Sequence, residues 1–232
     1  MGREAGTLTV VATPIGNLND LSPRASEALT SAEFWIVEDS RVSGKLQAKL
    51  GVKRPMRVLN DHTSEASVAK FVDEIEAGAS AALLSDAGTP VISDPGTELV
   101  ELCYRRGVPV DCVPGPSAVT AALALSGFYA QRFAFLGYPP RKAGPLRELL
   151  GPYADSPLTL VLFESPHRIG KLLAACSVAL GERRYAVCRE LTKMHQQVWR
   201  ATLPDCPTEE QLPCKGEITL VIEGKRKAAA GV

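Results

Sequence analysis

Short apolar runs rich in β-branched residues alternate with longer amphipathic stretches along the whole chain. The apolar runs predict strands at 7–13, 34–37, 81–85, 108–113, 132–137, 158–164, 185–190 and 217–224. The amphipathic stretches predict helices at 22–30, 40–50, 64–77, 96–106, 117–126, 144–150 and 167–180. One apolar face of the segment 64–77 is formed by Val68, Phe71, Val72 and Ile75, which recur at helical spacing. Alternation of this kind predicts an α/β fold with largely parallel sheets.

The two halves of the chain have different patterns, which predicts two α/β domains. The first half alternates regularly between strands and helices, with short loops. After the helix at 117–126, a Pro/Gly/basic loop at 137–145 leads into strands that follow one another closely, as antiparallel strands do. We therefore predict a domain over 1–116 with a mostly parallel sheet and a domain over 117–232 with a mixed sheet.

The composition is that of a globular protein without a strong overall charge. The 232 residues are 45% hydrophobic, and 26 Lys+Arg balance 26 Asp+Glu. Residues 1–118 carry a net charge of −5 and residues 119–232 a net charge of +5, which predicts a basic face on the second half. The 6 cysteines form no CxxC pair, so we expect free thiols in a cytoplasmic protein and no metal. We also expect no signal peptide and no membrane span.

Four of the predicted strands end in turns that are rich in glycine and proline. These turns are Thr13-Pro14-Ile15-Gly16-Asn17, Asp86-Ala87-Gly88-Thr89-Pro90, Pro114-Gly115-Pro116-Ser117-Ala118 and Glu164-Ser165-Pro166-His167-Arg168. In open α/β sheets, ligands bind beyond the carboxyl ends of the strands, where the loops converge. Glycine lets a ligand approach the main chain closely, and proline lowers the entropy lost when a loop becomes ordered. The turns therefore predict a ligand site.

The segment SDAGTPVISDPG (85–96) contains two aspartates with different expected roles. Asp86 has no helix directly behind it, so we predict that it accepts hydrogen bonds from a ligand hydroxyl or ammonium group. Asp94-Pro95 and Ser165-Pro166 have the pattern of a helix N-cap followed by proline. Ser117 either caps a helix beginning at Ala118 or starts a helix whose N–H groups bind a carboxylate. The chain has no GxGxxG, GxxxxGK[ST], HExxH or GxSxG motif, which argues against a Rossmann cofactor site or a P-loop.

These turns, in this order, resemble those of the tetrapyrrole (corrin/porphyrin) methylase superfamily, and most closely its branch of small-subunit ribosomal RNA methyltransferases. The segments that carry the resemblance extend over nearly the whole chain. They are TPIGNLNDLSPRASEAL (13–29), EDSR (38–41), SDAGTPVISDPG (85–96), VPGPSA (113–118), FESPHRI (163–169), CRELTK (188–193) and KGEITLVIEG (215–224).

The resemblance implies a homodimer in which each chain binds S-adenosylmethionine in a cleft between two α/β domains. The implied reaction is methylation of the ribose 2′-oxygen of a cytidine in 16S ribosomal RNA, as free rRNA or in the 30S subunit. Carried over by position, the implied cofactor-binding residues are Pro14, Ile15, Asp86, Gly88, Thr89, Ser117, Ala118, Phe163 and Glu217.

A ribose hydroxyl is a poor nucleophile, so a base or a cation must assist its deprotonation. EDSR and RELTK each place a carboxylate near a cation, and the candidate catalytic residues are Glu38, Asp39, Arg41, Glu190 and Lys193. Each of the two segments can instead be a surface ion pair, and both interpretations stay open. Among the histidines, His62 lies in a polar loop of the acidic half, His167 follows a proline at an expected helix start, and His195 is predicted to be an ordinary strand residue.

Basic residues of the second half are candidates for contacts with RNA phosphates, namely Arg141, Lys142, Arg147, Arg189 and Arg200. Tyr138 or Trp199 can stack on a base.

The chain departs from its relatives at Asn60-Asp61-His62-Thr63-Ser64, where they usually have a His-rich HEHNE-like run, and at His195-Gln196-Gln197, where they usually have acidic residues. These departures motivate two alternative functions. The same fold can methylate a tetrapyrrole or another small acceptor, or the chain can be an RNA-binding relative without catalysis.

Overall fold

The computed structural model describes residues 5–226, and the chain divides into two compact units, Met1–Ser117 and Ala118–Val232. The first unit contains β1 (Leu8–Val11), β2 (Phe34–Val37), β3 (Met56–Val58), β4 (Ala81–Leu84) and β5 (Val110–Val113). These strands pair in parallel in the order β3-β2-β4-β1-β5. Its helices are α1 (Pro23–Ser31), α2 (Ser40–Leu50), α3 (Glu65–Glu76) and α4 (Thr97–Arg105).

Helices cover both faces of this sheet, so its central strands are buried on both sides. Successive residues of β2 point to opposite faces, so that Phe34 and Ile36 pack with α3 and α4 while Trp35 and Val37 pack with α1 and α2. The predicted apolar face of α3 is buried, as the spacing of its apolar residues indicated. The carboxyl ends of the strands, where the predicted ligand loops begin, all lie at one edge of the sheet.

The second unit has a mixed sheet built from β6 (Phe133–Phe135), β7 (Thr159–Glu164), β8 (Arg184–Arg189), β9 (Gln197–Thr202) and β10 (Ile218–Ile222). The order is β6-β7-β10-β8-β9, with β6 and β7 parallel and the other pairs antiparallel. Its helices are α5 (Ala118–Ser126), α6 (Ala143–Leu150) and α7 (Ile169–Leu180). The predicted α/β class, with a parallel first sheet and a mixed second sheet, is confirmed.

Two strands were not among the predicted ones. β3 has only three residues and lies at the edge of its sheet, so its half-exposed side chains leave no continuous apolar run. β9 is also an edge strand, and its QVWRAT sequence mixes polar and apolar residues. His195 was predicted to lie in a strand, but it lies in a turn that precedes β9.

The two predicted helix caps at Asp94 and Ser165 are wrong. The N-cap of α4 is Gly96, at φ 132°, and no side chain caps that helix. α7 begins at Ile169, after a turn over 166–168, so its N-cap is Arg168 rather than Ser165. In both places extra loop residues separate the proline from the helix, which frees Asp94 and Ser165 from capping. Within residues 5–226, no helix has the length and apolar character needed to cross a membrane.

Candidate active site

Loops from three strands of the first unit are joined beyond the carboxyl edge of its sheet. The backbone of Thr13, after β1, exchanges two hydrogen bonds with that of Gly88, after β4, at N···O distances of 2.8 and 3.1 Å. The Thr13 hydroxyl also donates to the Ser85 carbonyl at 3.3 Å. The Thr89 hydroxyl donates to the carbonyl of Pro116, after β5, at 3.4 Å. The three glycine- and proline-rich turns of the first unit therefore form one connected surface.

Gly88 is a point of close approach in this surface. Its φ of 84° lies in the left-handed region, which favours glycine, and a Cβ atom there would lie 3.3 Å from Ile15 Cγ2. Ile15 thus lies against the loop that contains Gly88 and Thr89, and Pro14 connects it to Thr13, which is bonded to Gly88. Ser117 directly precedes α5, which begins at Ala118. The structure therefore brings together Pro14, Ile15, Gly88 and Thr89, all predicted to contact the cofactor.

The rest of the 85–96 segment is held in an unusual backbone conformation. Val91 and Ser93 have φ of 74° and 66°, although neither is glycine. Such a conformation is particularly unfavourable for a β-branched residue such as Val91. Strained residues of this kind cluster at active sites and ligand clamps, where the surrounding structure holds them in place. The positive φ values of Val91 and Ser93 make this loop a candidate functional segment.

Carboxylates from several elements converge beside the same loops. The backbone N–H of Asp39, which follows β2, donates to Asp86 Oδ1 at 3.2 Å. Burial raises the pKa of Glu38 above its ordinary value, and the charges of Asp86 and Asp94 raise it further. Burial is also the main cause of the raised pKa values of Asp86 and Asp94. These groups hold protons more readily than exposed carboxylates do, so the cluster is suited to proton transfer or to a cationic ligand.

Asp39 and Arg41, which were candidate catalytic residues, are engaged with each other. Asp39 Oδ1 accepts from the backbone N–H of Arg41 at 2.8 Å, so Asp39 caps α2, and the Arg41 guanidinium bonds both carboxylate oxygens. The side-chain hydrogen bond from Arg41 is the main cause that lowers the pKa of Asp39 to about 2. A carboxylate of such low pKa is a weak base. The EDSR segment therefore combines one helix cap, Asp39, with one carboxylate of raised pKa, Glu38.

In the second unit, Lys193 is held between two carboxylates. Its Nζ atom lies 2.9 Å from Glu190 Oε1 and 3.0 Å from Glu217 Oε2. Glu190 has φ 51°, and a Cβ atom on the adjacent Gly216 would lie 2.5 Å from Glu190 Cγ. The side-chain hydrogen bond from Lys193 lowers the pKa of Glu190, and the two carboxylates raise the pKa of Lys193 against the effect of burial. Lys193 is therefore a fixed ammonium group rather than a base.

The predicted RNA contacts differ in their surroundings. Arg141, Lys142 and Arg147 are exposed, whereas Arg189 is only 8% exposed and donates to the carbonyls of Lys215 and His195. Arg200 lies over the Phe128 ring, 5.1 Å from its centroid. The Phe163 ring, at the end of β7, packs against Phe135 and Tyr138. The surroundings of Arg189 are those of a structural residue, and the side chains at 141, 142 and 147 are accessible to a partner.

Sequence reasoning gave no role to Asp61 and assigned Asp94 to a helix cap. Asp94 is half-buried, and its charge and that of Asp61 both raise the pKa of Glu38. The signal available for Asp94 was its position in a segment crowded with turn residues. Asp61 lies in the polar loop before α3, and it lines a cavity of about 850 Å³ beside α3 and α4. Among residues 5–226, no group of three or more His, Cys, Asp or Glu side chains is placed to hold a metal ion.

Residues 7–207 match the protein family described as Tetrapyrrole (Corrin/Porphyrin) Methylases. The chain is 41% identical over 223 residues to "Ribosomal RNA small subunit methyltransferase I" of Xylella fastidiosa, covering 94% of this chain and 82% of that protein. It is 40% identical over 222 residues to the protein of that name from Thermotoga maritima, covering 95% and 99%.

Solved structures with the same fold are more distant in sequence. The methyltransferase CobJ superposes with a TM-score of 0.71 at 16% identity, covering 97% of this chain and 98% of that one. Diphthine synthase superposes with a TM-score of 0.69 at 16% identity, covering 94% and 89%. At these identities the likeness extends to the fold alone.

Proposed function

The chain belongs to the tetrapyrrole (corrin/porphyrin) methylase family, and we propose that it transfers the methyl group of S-adenosylmethionine to the ribose 2′-oxygen of a cytidine in small-subunit ribosomal RNA. The observation that carries this proposal is the similarity of nearly the whole chain to proteins named ribosomal RNA small subunit methyltransferase I. The resemblance of the cofactor turns to that branch supports the same acceptor. Its further implications, a homodimer acting on 16S rRNA or the 30S subunit in the cytoplasm, belong to the proposal.

The loops of the first unit fit S-adenosylmethionine. Gly88 leaves its backbone open where a side chain would press on Ile15, and half-buried carboxylates lie beside it. A carboxylate such as Asp86 can accept hydrogen bonds from ribose hydroxyls or an ammonium group, and the acidic surroundings favour a sulfonium cation. We propose that Pro14, Ile15, Asp86, Gly88 and Thr89 hold the cofactor, with Ser117, Ala118, Phe163 and Glu217 as the further contacts that the resemblance implies. When bound, the cofactor supplies an activated methyl group.

The chain's own task is then to orient the ribose hydroxyl and to accept its proton. Of the five candidates, we propose Glu38 as the proton acceptor. Its raised pKa brings its basicity closer to what neutral pH requires, whereas Asp39 and Glu190 have lowered pKa values and Arg41 and Lys193 are held as cations. Removal of a general base typically lowers the rate by about 10²- to 10⁴-fold.

The Glu190–Lys193–Glu217 cluster has a different proposed role. Two carboxylates around one ammonium group leave a net negative charge, which disfavours a phosphate contact. Lys193 is fixed by its two partners, and Glu217 is 76% exposed in its side chain. We propose that this cluster orients a hydroxyl or amino group of a substrate or cofactor and that the exposed basic residues Arg141, Lys142 and Arg147 contact RNA phosphates.

Methyl transfer from radiolabelled S-adenosylmethionine to 30S subunits of a strain lacking the corresponding enzyme tests the function. We expect label at one cytidine ribose, and we expect Asp86→Ala to lose both cofactor binding and transfer. Asp111→Ala, which removes an exposed aspartate on β5, serves as the control. Cofactor binding with no label in rRNA would overturn the proposal. Label in a tetrapyrrole instead would support the small-acceptor alternative, and RNA binding without any transfer would support the non-catalytic one.

A further inference from the structure

An aromatic group lies at the carboxyl end of β6 and β7. The Phe135 and Phe163 rings meet edge to face, with their centroids 4.9 Å apart, and the Tyr138 ring packs on Phe163 at 5.5 Å. Phe135 and Phe163 are half-buried, whereas Tyr138 is 65% exposed. The two phenylalanines therefore support an aromatic ring that is displayed to solvent.

The backbone around this ring is fixed from both sides. Gly137 has φ 62°, and its carbonyl accepts from the Phe163 N–H at 2.9 Å, which ties the loop to the end of β7. Pro139 and Pro140 follow Tyr138 directly and restrict the backbone further. Because the loop is already ordered, little conformational entropy is lost when a ligand stacks on it.

A buried carboxylate anchors the same loop. The Glu164 side chain is 1% exposed, and its Oε2 atom lies 3.1 Å from Arg168 Nη2. That guanidinium also donates to the Pro139 carbonyl at 3.1 Å. The FESPHR segment thus acts as a brace for the loop, which gives Glu164 and Arg168 a positioning role that the sequence motif did not reveal.

The charges around the ring favour a polyanion with stacking groups. Arg141 and Lys142 come directly after the two prolines, Arg147 lies on α6, and the segment 137–147 contains no Asp or Glu. An accessible aromatic ring beside cations is the arrangement with which proteins bind single-stranded nucleic acids, because bases stack on the ring and phosphates pair with the cations. Trp199 does not offer this arrangement, since it packs on Tyr185 at 5.6 Å and lies against the core.

We propose that Tyr138 is a nucleobase-stacking residue, with Arg141 and Lys142 on the neighbouring phosphates of a single-stranded RNA segment. The proposal rests on the proposed function for its biological substrate, but the site itself is a prediction about RNA binding and needs no methyl transfer. It assigns substrate recognition to the loop 137–142 of the second unit.

Binding of a fluorescein-labelled single-stranded RNA decamer, measured by fluorescence anisotropy, tests this site. We expect Tyr138→Ala to weaken binding by about tenfold, within the range for loss of one base–aromatic stack, and Tyr138→Phe and Tyr138→Trp to retain it. Tyr104→Ala is the matched control, because Tyr104 is 64% exposed but lies on α4, and we expect it to bind like the wild type. Circular dichroism and S-adenosylmethionine binding establish that each variant is folded.

Decamers with a single abasic position separate stacking from charge. If an abasic position weakens decamer binding by the wild type but causes no further loss of binding by Tyr138→Ala, that position is the stacked base. This result supports the proposal. Equal binding by Tyr138→Ala and the wild type would overturn it, as would a loss shared equally by Tyr104→Ala or an absence of decamer binding by the wild type. The methyl-transfer assay on 30S subunits decides the proposed function separately, so the two can fail independently.

Discussion

Gly88 and Glu38 illustrate how much of the candidate site depends on single residues. Position 88 requires a residue without a side chain, and position 38 requires a carboxyl group whose surroundings disfavour its ionised form. Both residues lie beside Asp86, at the ends of neighbouring strands; Gly88 is held by backbone hydrogen bonds to Thr13, and Asp39, next to Glu38, donates its backbone N–H to the Asp86 carboxylate. The chemistry therefore depends on local geometry that a single substitution can change.

Gly88→Ala should weaken cofactor binding without unfolding the protein. A Cβ atom at φ 84° costs about 1–2 kcal/mol and presses on Ile15, so the loop must shift from the geometry that we propose for cofactor binding, and we expect an affinity for S-adenosylmethionine lower by roughly tenfold. Isothermal titration calorimetry measures this directly. The control is Gly44→Ala on α2, where no atom lies within 4 Å and alanine should stabilise the helix by about 0.5–1 kcal/mol. Unchanged cofactor affinity in Gly88→Ala would exclude this loop from the site.

Glu38→Gln should lower activity and raise stability at neutral pH. Because the folded-state pKa of Glu38 is raised above 4.5, the unfolded chain ionises more readily, and stability falls as pH rises from 4.5 through the folded-state pKa. The variant avoids this loss, so we expect its Tm to exceed that of the wild type at pH 8 and the difference to vanish near pH 4. We expect kcat to fall about 100-fold or more. Glu27→Gln, on the exposed face of α1, should change neither quantity.

Helices and loops decide which of the remaining carboxylates are available for chemistry. Asp39 caps α2 and binds Arg41, whereas Asp94 caps nothing because α4 begins later, after Gly96. Residues 91–96, which precede α4, form a strained loop that directs the Asp94 side chain toward Asp86 and Ser85. A difference of one turn or less in where a helix begins thus decides whether an aspartate caps that helix or belongs to the acidic cluster.

Asp39→Asn distinguishes the capping role of Asp39 from a catalytic one. Asparagine caps helices as well as aspartate does, so α2 should stay intact and methyl transfer should remain within about twofold of the wild type. A general base would instead lose about 10²- to 10⁴-fold, which is the outcome that would contradict the assignment. Single-turnover methyl transfer gives the rate, and Asp39→Ala, which removes the cap, should show a lower Tm than Asp39→Asn.

At the scale of the whole molecule, charge is divided between the halves of a chain that has no net charge. Residues 1–118 are net negative and residues 119–232 are net positive. The first unit has its acidic cluster at the carboxyl edge of a parallel sheet, and the second has exposed cations in the segment that follows the exposed Tyr138 ring. The acidic and the basic groups of the chain thus belong to different units.

The salt dependence of RNA binding tests whether Arg141, Lys142 and Arg147 of the second unit make the contacts with RNA phosphates. Removing three phosphate contacts by substituting Arg141, Lys142 and Arg147 with alanine should reduce the slope of log K against log salt concentration by about 2. Alanine at Arg24, Lys45 and Lys53, which are exposed in the first unit, changes the net charge equally and should leave the slope unchanged. Equal effects of the two triple variants would mean that total charge, and not this loop, governs binding.

The sequence by itself determined the α/β class, the long strands and helices, and the turns at the carboxyl ends of the strands, because periodicity and turn residues are local properties of the chain. The resemblance to known methylases followed from the same turns. Tertiary structure alone decided that Asp39 is paired while Glu38 has a raised pKa, that Arg189 is buried, and that Tyr138 rather than Trp199 is displayed. Burial and the nearness of charges depend on residues far apart in the chain, so no local pattern contains them.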